Sequence, residues 1–219
     1  MSKFLVLLYS LFFIILIPAF SQSKDEAAKL VLDEFNSKTR TLPGALSKFS
    51  FTVNDMSVNS ESIYVGSFLL KGEMYKVVMD DMEIYYDGET LWNYIIEAGE
   101  VNVLTPPEDA DPDSYFENPV RFFSIYEKDF FYKYIGEETR EGKALHVIDL
   151  YPKDLNRSFN RIRIIISKEK LELYSAKLFS KNKIHYTLKI LSFVSKDIPD
   201  EAFAFDPASH PDVDIIDLR

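Results

Sequence analysis

The residues of this chain that could do chemistry are few and widely spaced. The three histidines, His146, His185 and His210, have no second ligand at metal-binding spacing, and the chain contains no cysteine for disulfides, thiolate metal sites or nucleophilic attack. The adjacent carboxylates Asp80 and Asp81 lie at a predicted turn, where turn geometry favours aspartate. Nucleophile elbows, glycine-rich phosphate loops and His-Glu-x-x-His motifs are also missing. We therefore predict no catalytic residues, no metal and no cofactor, and we expect that the protein is not an enzyme.

The N-terminus has the form of a secretory signal peptide. Lys3 precedes an apolar run over residues 4–17, and a small-x-small cleavage signal follows at residues 19–21. The apolar run is shorter than the ~20 residues that a membrane-spanning helix needs. We therefore predict a cleaved signal peptide over residues 1–21 and a single domain over residues 22–219.

Charge and aromatic content limit the possible partners. The chain has 25 basic and 35 acidic residues and a formal net charge of −10. An acidic surface argues against nucleic acid and against anionic lipid headgroups as direct partners. The chain is also rich in large rings, with 18 Phe and 13 Tyr against one Trp. These rings fit either an ordinary β-sheet core or the lining of a cavity that closes imperfectly.

Sequence periodicity predicts one helix followed by a long antiparallel sheet. Apolar residues within 24–38 recur on one helical face, after a capping box that begins at Ser23. From residue 47 onward apolar residues alternate with polar ones, and short glycine-containing turns separate the runs, which is typical of β-hairpins. We count about eleven strands. A sheet of this size tends to curl, and one helix is too small to cover its inner face, so a lid or a ligand must cover the rest.

A break in the alternation indicates where that lid lies. Residues 105–119 contain four prolines and five acids, which indicates a surface loop. The aromatic segment that follows, residues 120–131, begins after Pro119, a residue that suits the first turn of a helix. We predict a short helical lid here. Its apolar rings are Phe122, Phe123 and Tyr126.

Five short motifs occur in one order along the chain. They are a glycine-started strand at 66–71, an aromatic strand at 74–77, an Asp-Gly-x-x-Leu-Trp-x-Tyr hairpin at 87–94, a Leu-x-Pro-Lys strand end at 150–153 and a closing Phe-x-Phe-x-Pro at 203–207. In this order they resemble the periplasmic outer-membrane lipoprotein carrier family, LolA. The hairpin is the most specific of the five, and together the motifs cover nearly the whole mature chain.

The resemblance implies a mainly β (α+β) fold: an incomplete antiparallel β-barrel of about eleven strands, with an N-terminal helix and a helical lid over an apolar cavity. It implies a monomer in the periplasm of a Gram-negative bacterium. Such a carrier takes the acyl chains of lipoproteins, or other acylated lipids, from an inner-membrane ABC transporter to an outer-membrane acceptor. By strand alternation we predict the lining of the cavity to be Phe51, Phe68, Leu70, Tyr75, Val77, Trp92, Tyr94, Ile162, Ile164, Tyr186 and Leu188.

One departure from the family concerns the latch of the lid. The family commonly has Arg-Pro after the glycine-started strand, and that arginine bonds the lid, whereas this chain has Lys71 and Gly72. We carry the latch role to Lys71, whose ammonium group lacks the planar fork of donors of a guanidinium.

Two other interpretations stay open at the level of sequence. A regulatory or sensor domain of the same half-barrel type would bind a lipoprotein or an envelope-stress signal and pass it to a membrane protein. A small hydrolase or isomerase would use the barrel as an active site, but it would need convergent polar groups inside the cavity.

Overall fold

The computed structural model describes residues 24–105 and 130–219. The predicted signal peptide and the lid residues Phe122, Phe123 and Tyr126 lie outside the described residues. In the described ranges, helix α1 spans Lys24–Arg40 and twelve strands follow. The strands are β1 Ala45–Asp55, β2 Ser60–Lys71, β3 Met74–Val78, β4 Met82–Tyr86, β5 Leu91–Ile95, β6 Glu100–Leu104, β7 Phe130–Arg140, β8 Lys143–Pro152, β9 Phe159–Ser167, β10 Leu173–Ser180, β11 Ile184–Ser195 and β12 Asp214–Asp217.

All twelve strands belong to one open, curled sheet. Their order across the sheet is β12-β6-β5-β4-β3-β2-β1-β11-β10-β9-β8-β7. Every neighbouring pair is antiparallel except β12, which runs parallel to β6. The predicted mainly β fold with an N-terminal helix is confirmed. The structure adds the four-residue strand β12 to the expected count, and β7 begins at Phe130, inside the aromatic segment predicted as a helix.

Helix α1 owes its position to one apolar stripe. Ala28, Val31, Leu32 and Phe35 follow the i, i+3, i+4, i+7 spacing of a helical face, and all four are buried. Acids occupy the first turn and bases the last, which suits the helix dipole. The stripe belongs to the same apolar cluster as residues of β1–β4 and β7–β11, so the helix lies on the inner face of the sheet. No helix in the described ranges is long and apolar enough to cross a bilayer.

The outer face of the sheet carries a buried carboxylate. Asp149, on β8, is only 1% exposed. Arg163 on β9 approaches it with two nitrogens, at 2.6 and 2.8 Å from the two carboxylate oxygens, and Arg161 adds a third contact at 3.1 Å. The Arg161 guanidinium also lies 3.9 Å from the centroid of the Phe179 ring. The two arginines therefore hold the outer surfaces of β8, β9 and β10 together.

Steric crowding explains why the first family-like motif starts with a glycine, Gly66. A Cβ on Gly66 would lie 2.6 Å from the carbonyl oxygen of Val78 on β3 and 2.7 Å from the ring of Phe49 on β1. The Phe49 ring thus fills the space over the glycine. We expect Gly66→Ala to lower the free energy of unfolding by about 1–3 kcal/mol, because a backbone carbonyl must move.

Urea denaturation of Gly66→Ala beside Ser67→Ala tests this prediction. Ser67 is the next residue of β2 and points to the opposite face, so its replacement should change the free energy of unfolding by less than about 0.5 kcal/mol. Equal effects of the two substitutions would contradict the steric explanation.

Candidate functional site

The inner face of the sheet forms one continuous apolar wall. Nine of the residues predicted to line a cavity lie together in it: Phe51, Phe68, Leu70, Tyr75, Val77, Ile162, Ile164, Tyr186 and Leu188. Opposite residues of antiparallel strands share a face. Pairings such as Leu70 with Tyr75 and Phe68 with Val77 therefore join these side chains across the strands. Their role in binding a ligand stays a prediction.

The structure separates Trp92 and Tyr94 from these nine residues, and this corrects the predicted lining. On β5 it is Leu91 that belongs to the inner wall, and Trp92 is the next residue. Successive residues of a strand point to opposite faces, so a shift of one residue moves a whole set of side chains to the other side. Both rings lie in an outer cluster with Tyr85 and Phe205.

This outer cluster attaches the C-terminal segment to the sheet. The Phe205 ring meets the rings of Tyr85 and Tyr94 edge-on, with centroids 5.7 and 5.6 Å apart. His210 stacks on Phe205 at 4.8 Å. Two family-like motifs, the Trp-containing hairpin and the closing Phe-x-Phe, therefore pack against each other. Trp92, Tyr94 and Phe205 thus pack together on the face opposite the inner wall.

The inner wall opens at one end through three half-buried or exposed rings. Phe51 stacks on Tyr186 with centroids 6.0 Å apart and an interplanar angle of 12°. Tyr64 lies on the other side of Phe51, at 6.5 Å, and is half exposed. We call Phe51, Tyr64 and Tyr186 the aromatic rim. Deeper in the wall, residues such as Ile164 and Phe68 are buried, so apolar surface reaches solvent at the rim.

Several wall residues were not in the predicted lining although alternation could have found them. Phe49 precedes Phe51 by two residues, and Ile148 and Leu150 alternate on β8, so all three carry the period-2 signal. Ile84 and Tyr86 carry the same signal on β4. Met82, the first residue of β4, continues this pattern, and Met79, in the turn before β4, also packs on the wall.

The three histidines make local contacts in the folded chain. Near α1, His146 Nδ1 and the Tyr134 hydroxyl are joined by a hydrogen bond of 2.8 Å. Burial and the charge of Lys168 lower the pKa of His146, which keeps the imidazole neutral at pH 7. His185 packs edge-on against Phe179. In the described part of the chain, no three His, Cys, Asp or Glu residues are grouped to hold a metal ion.

The structure gives Lys71 a partner in the C-terminal segment. Its ammonium group donates to the carbonyl oxygen of Ile198 and to a carboxylate oxygen of Asp200, each at 2.7 Å. The bond to Asp200 raises the pKa of Lys71. The lid residues lie outside the described residues, so the latch role of Lys71 stays a prediction. What the contacts establish is an anchor for the 3₁₀ helix Asp200–Phe203 beside the end of β2.

We expect Lys71→Met to loosen this anchor. Hydrogen exchange at the amides of Ala202 and Ala204, which donate to carbonyl oxygens within this segment, should become at least about twofold faster. Because the pKa of Lys71 is raised, the contribution of the anchor is complete at neutral pH and is lost only as the pH rises through that raised value. Lys196→Met, an exposed neighbour, is the control. Unchanged exchange in Lys71→Met would contradict the anchor.

Comparison with known proteins decides the family. A family model described as "Outer membrane lipoprotein carrier protein LolA" matches residues 17–171, well over half of the 219 residues. The chain belongs to the LolA family. The match includes α1, the inner wall as far as β9 and the Trp-containing hairpin. No match was found among curated protein sequences.

Several solved structures are similar to this chain at low sequence identity. An uncharacterized conserved protein from Thermus thermophilus is 10% identical, with a TM-score of 0.61, over 87% of this chain and 99% of that chain. A LolA superfamily protein from Nitrosomonas europaea is 13% identical over 82% of this chain and 98% of that one, with a TM-score of 0.44. A putative outer membrane lipoprotein-sorting protein domain from Vibrio parahaemolyticus is 8% identical over 82% and 97%, with a TM-score of 0.47. The Thermus protein shares the overall fold of this chain.

Proposed function

We propose that this LolA family member is a periplasmic carrier of lipoprotein acyl chains. In this proposal residues 1–21 are removed on export, and residues 22–219 act as a monomer. The protein receives the chains from an inner-membrane ABC transporter and passes them to an outer-membrane acceptor. The observation that carries the proposal is the continuous apolar inner wall, which reaches solvent at the aromatic rim.

The energetics of an acyl chain explain why such a wall is needed. Each methylene that leaves water contributes ~0.8 kcal/mol, so a lipoprotein with several long chains would not cross an aqueous compartment unshielded. A carrier must also release its cargo. Flat rings such as Phe51 and Tyr186 bury large area without demanding one ligand shape, which suits chains of different length. The proposed lid rings would compete with the cargo for the same surface and so keep the net affinity moderate.

The first step of the test is to identify what the protein holds in its own host. Native mass spectrometry with lipid extraction, on protein purified from the periplasm, should find a co-purifying acylated lipoprotein that delipidation removes. Uptake of a fluorescent fatty-acyl probe then measures directly whether the protein binds an acyl chain. A protein that carries no lipid and takes up no probe would overturn the carrier proposal and favour a sensor or regulatory module of the same half-barrel type.

Variants at the rim connect that uptake to the wall. Phe51→Ala with Tyr186→Ala removes a stacked pair of rings at the open end, so we expect the probe to bind at least about tenfold more weakly. Ile63→Ser is the matched control, because Ile63 is exposed on the outer face of the neighbouring strand, and its probe affinity should stay within about twofold. Equal affinities in all three proteins would mean that the probe binds elsewhere.

A further inference from the structure

The hairpin formed by β1 and β2 projects past β3, its neighbour on one side, while β11 accompanies it on the other side as far as Asp55. Strand β2 pairs with β1 from Ser60 to Leu70 but pairs with β3 only from Ser67 onward, so residues 60–66 have no second strand partner among the described strands. The projecting end is unusually apolar for a surface. At its turn Met56 and Val58 are 55% and 69% exposed, and on its outer face Ile63 is 61% exposed.

Two further loops are joined to this turn at the same end of the sheet. The Met56 amide donates to the carbonyl oxygen of Lys183, in the β10–β11 turn, at 3.0 Å. The β10–β11 turn is bound to the β8–β9 loop, because the Lys181 amide and the Ser180 hydroxyl both donate to the carbonyl oxygen of Ser158, at 2.8 and 3.1 Å. We call residues 56–59, 153–158 and 181–183 the tip. The β8–β9 loop adds Leu155, which is 80% exposed.

The charge of the tip is opposite to that of the chain. The three loops contain the basic residues Lys153, Arg157, Lys181 and Lys183 and one carboxylate, Asp154, whereas the whole chain has a formal charge of −10. Asp55 and Glu61, at the strand ends beside the turn, reduce this excess without reversing it. The overall acidity that argued against anionic headgroups therefore does not describe the tip.

We propose that the tip docks on the surface of a bilayer that contains anionic lipid. Exposed apolar side chains surrounded by basic ones are the signature of interfacial membrane contact: the apolar groups enter the headgroup region and the cations attract the anionic lipid. Addition of a partner strand to β2 would pair its open backbone edge but would leave Met56, Val58 and Leu155 in water. A bilayer surface covers the projecting turn and the neighbouring loop together.

The geometry also limits how deeply the tip can enter the bilayer and how the protein is oriented on it. The backbone groups of residues 60–66 on the side away from β1 have no strand partner and cannot be satisfied inside hydrocarbon, so contact stops at the interface. The turns after β3 and β5 lie at the same end of the sheet and carry Asp80, Asp81 and Glu97, which an anionic surface repels. The protein therefore meets the bilayer through β1, β2 and the loops of β8–β11. This places the aromatic rim, at the same end of the wall, next to the lipid.

Flotation of the full chain with vesicles tests the proposal. Vesicles of phosphatidylcholine with about 30 mol% phosphatidylglycerol should carry the protein at low salt, and pure phosphatidylcholine vesicles should carry less. The variant Met56→Ser/Val58→Ser/Leu155→Ser should lower the partition coefficient at least about tenfold. Lys181→Gln/Lys183→Gln should lower it about tenfold on anionic vesicles and remove most of its salt dependence.

The control variants make the same kinds of substitution at exposed residues outside the tip. Leu30→Ser/Leu218→Ser removes two exposed apolar side chains elsewhere, and Lys48→Gln/Lys196→Gln removes two exposed charges; both should bind vesicles as the wild type does. All variants share the same N-terminal residues, so differences between them report the tip. Wild type that does not float, or a tip variant that floats as well as wild type, would overturn the proposal.

Tryptophan fluorescence locates the contact between the tip and the vesicle. An acyl-uptake assay distinguishes the docking proposal from the carrier proposal. The emission of Val58→Trp should shift to the blue on anionic vesicles, while that of Val65→Trp, farther from the turn along β2, should shift less. The absence of a shift at residue 58 would also overturn the proposal. Uptake of the acyl probe needs no membrane, so tip variants that keep uptake but lose flotation assign the defect to docking and leave the carrier function standing.

Discussion

Replacing Phe35 with alanine is expected to lower the free energy of unfolding by about 3–5 kcal/mol. The ring is 1% exposed and belongs to the cluster that holds α1 on the inner face of the sheet. Its removal leaves a cavity between helix and sheet in addition to the lost burial of the ring. Urea denaturation followed by far-UV circular dichroism measures the change, and the size of the effect shows how firmly the helix covers its part of the wall.

The control for this experiment lies on the opposite side of the same helix. Leu30 is 52% exposed, so Leu30→Ala should change the free energy of unfolding by less than about 0.5 kcal/mol. If Phe35→Ala were as mild as Leu30→Ala, α1 would be a detachable element. In that case the part of the apolar wall beneath it would also be open to a ligand.

The second large effect concerns the buried carboxylate on the outer face. We expect Arg163→Leu to lower the free energy of unfolding by about 2–4 kcal/mol, because Asp149 stays buried after it loses both hydrogen bonds from Arg163. The remaining contact with Arg161 keeps the loss below that of a fully unpaired charge. Thermal or urea denaturation of the purified variant gives the value.

An ion pair at the surface shows how much of the expected loss of stability depends on burial of the charge. Arg140 binds Glu138 at 2.7 Å, with about half of the arginine side chain exposed, so Arg140→Leu should cost no more than about 1 kcal/mol. Comparable losses at the two arginines would mean that Asp149 reaches water when Arg163 is absent. In the double variant Asp149→Leu/Arg163→Leu we expect part of the stability to return, since no carboxylate is then left buried without its partner.

These two effects divide the molecule into parts with different tasks. The Phe35 variant tests packing at the inner wall, where the proposed carrier function requires an apolar face that can admit a ligand. Asp149 and Arg163 report the outer face, where charged pairs and the Phe205 cluster stiffen the sheet without entering the wall. A carrier whose outer face holds the strands in place can leave part of its inner face unfilled. Variants that weaken the outer face should therefore lower stability before they change acyl binding.

The sequence by itself determined the local structure and the family. The apolar stripe of α1 and the alternation of the strands depend only on neighbours in the chain, so the helix predicted over 24–38 is confirmed as Lys24–Arg40. Nine of the residues that alternation predicted as lining pack in one cluster, because period 2 fixes which side chains of one strand share a face; their role as a lining stays a prediction. The glycine before Phe68 and the Trp-containing hairpin carried the resemblance to the LolA family, which the family match confirms.

Tertiary structure decided what depends on contacts between distant parts of the chain. Whether Trp92 faces the wall depends on the register of β5 with β4. Its outer cluster also includes Phe205, which lies more than a hundred residues later in the chain. The pairing of β12 with β6, the partners of Lys71 and the approach of Arg163 to Asp149 have the same origin. Alternation states that two faces exist, and only the folded sheet, with the elements that cover it, decides which face becomes the inner wall.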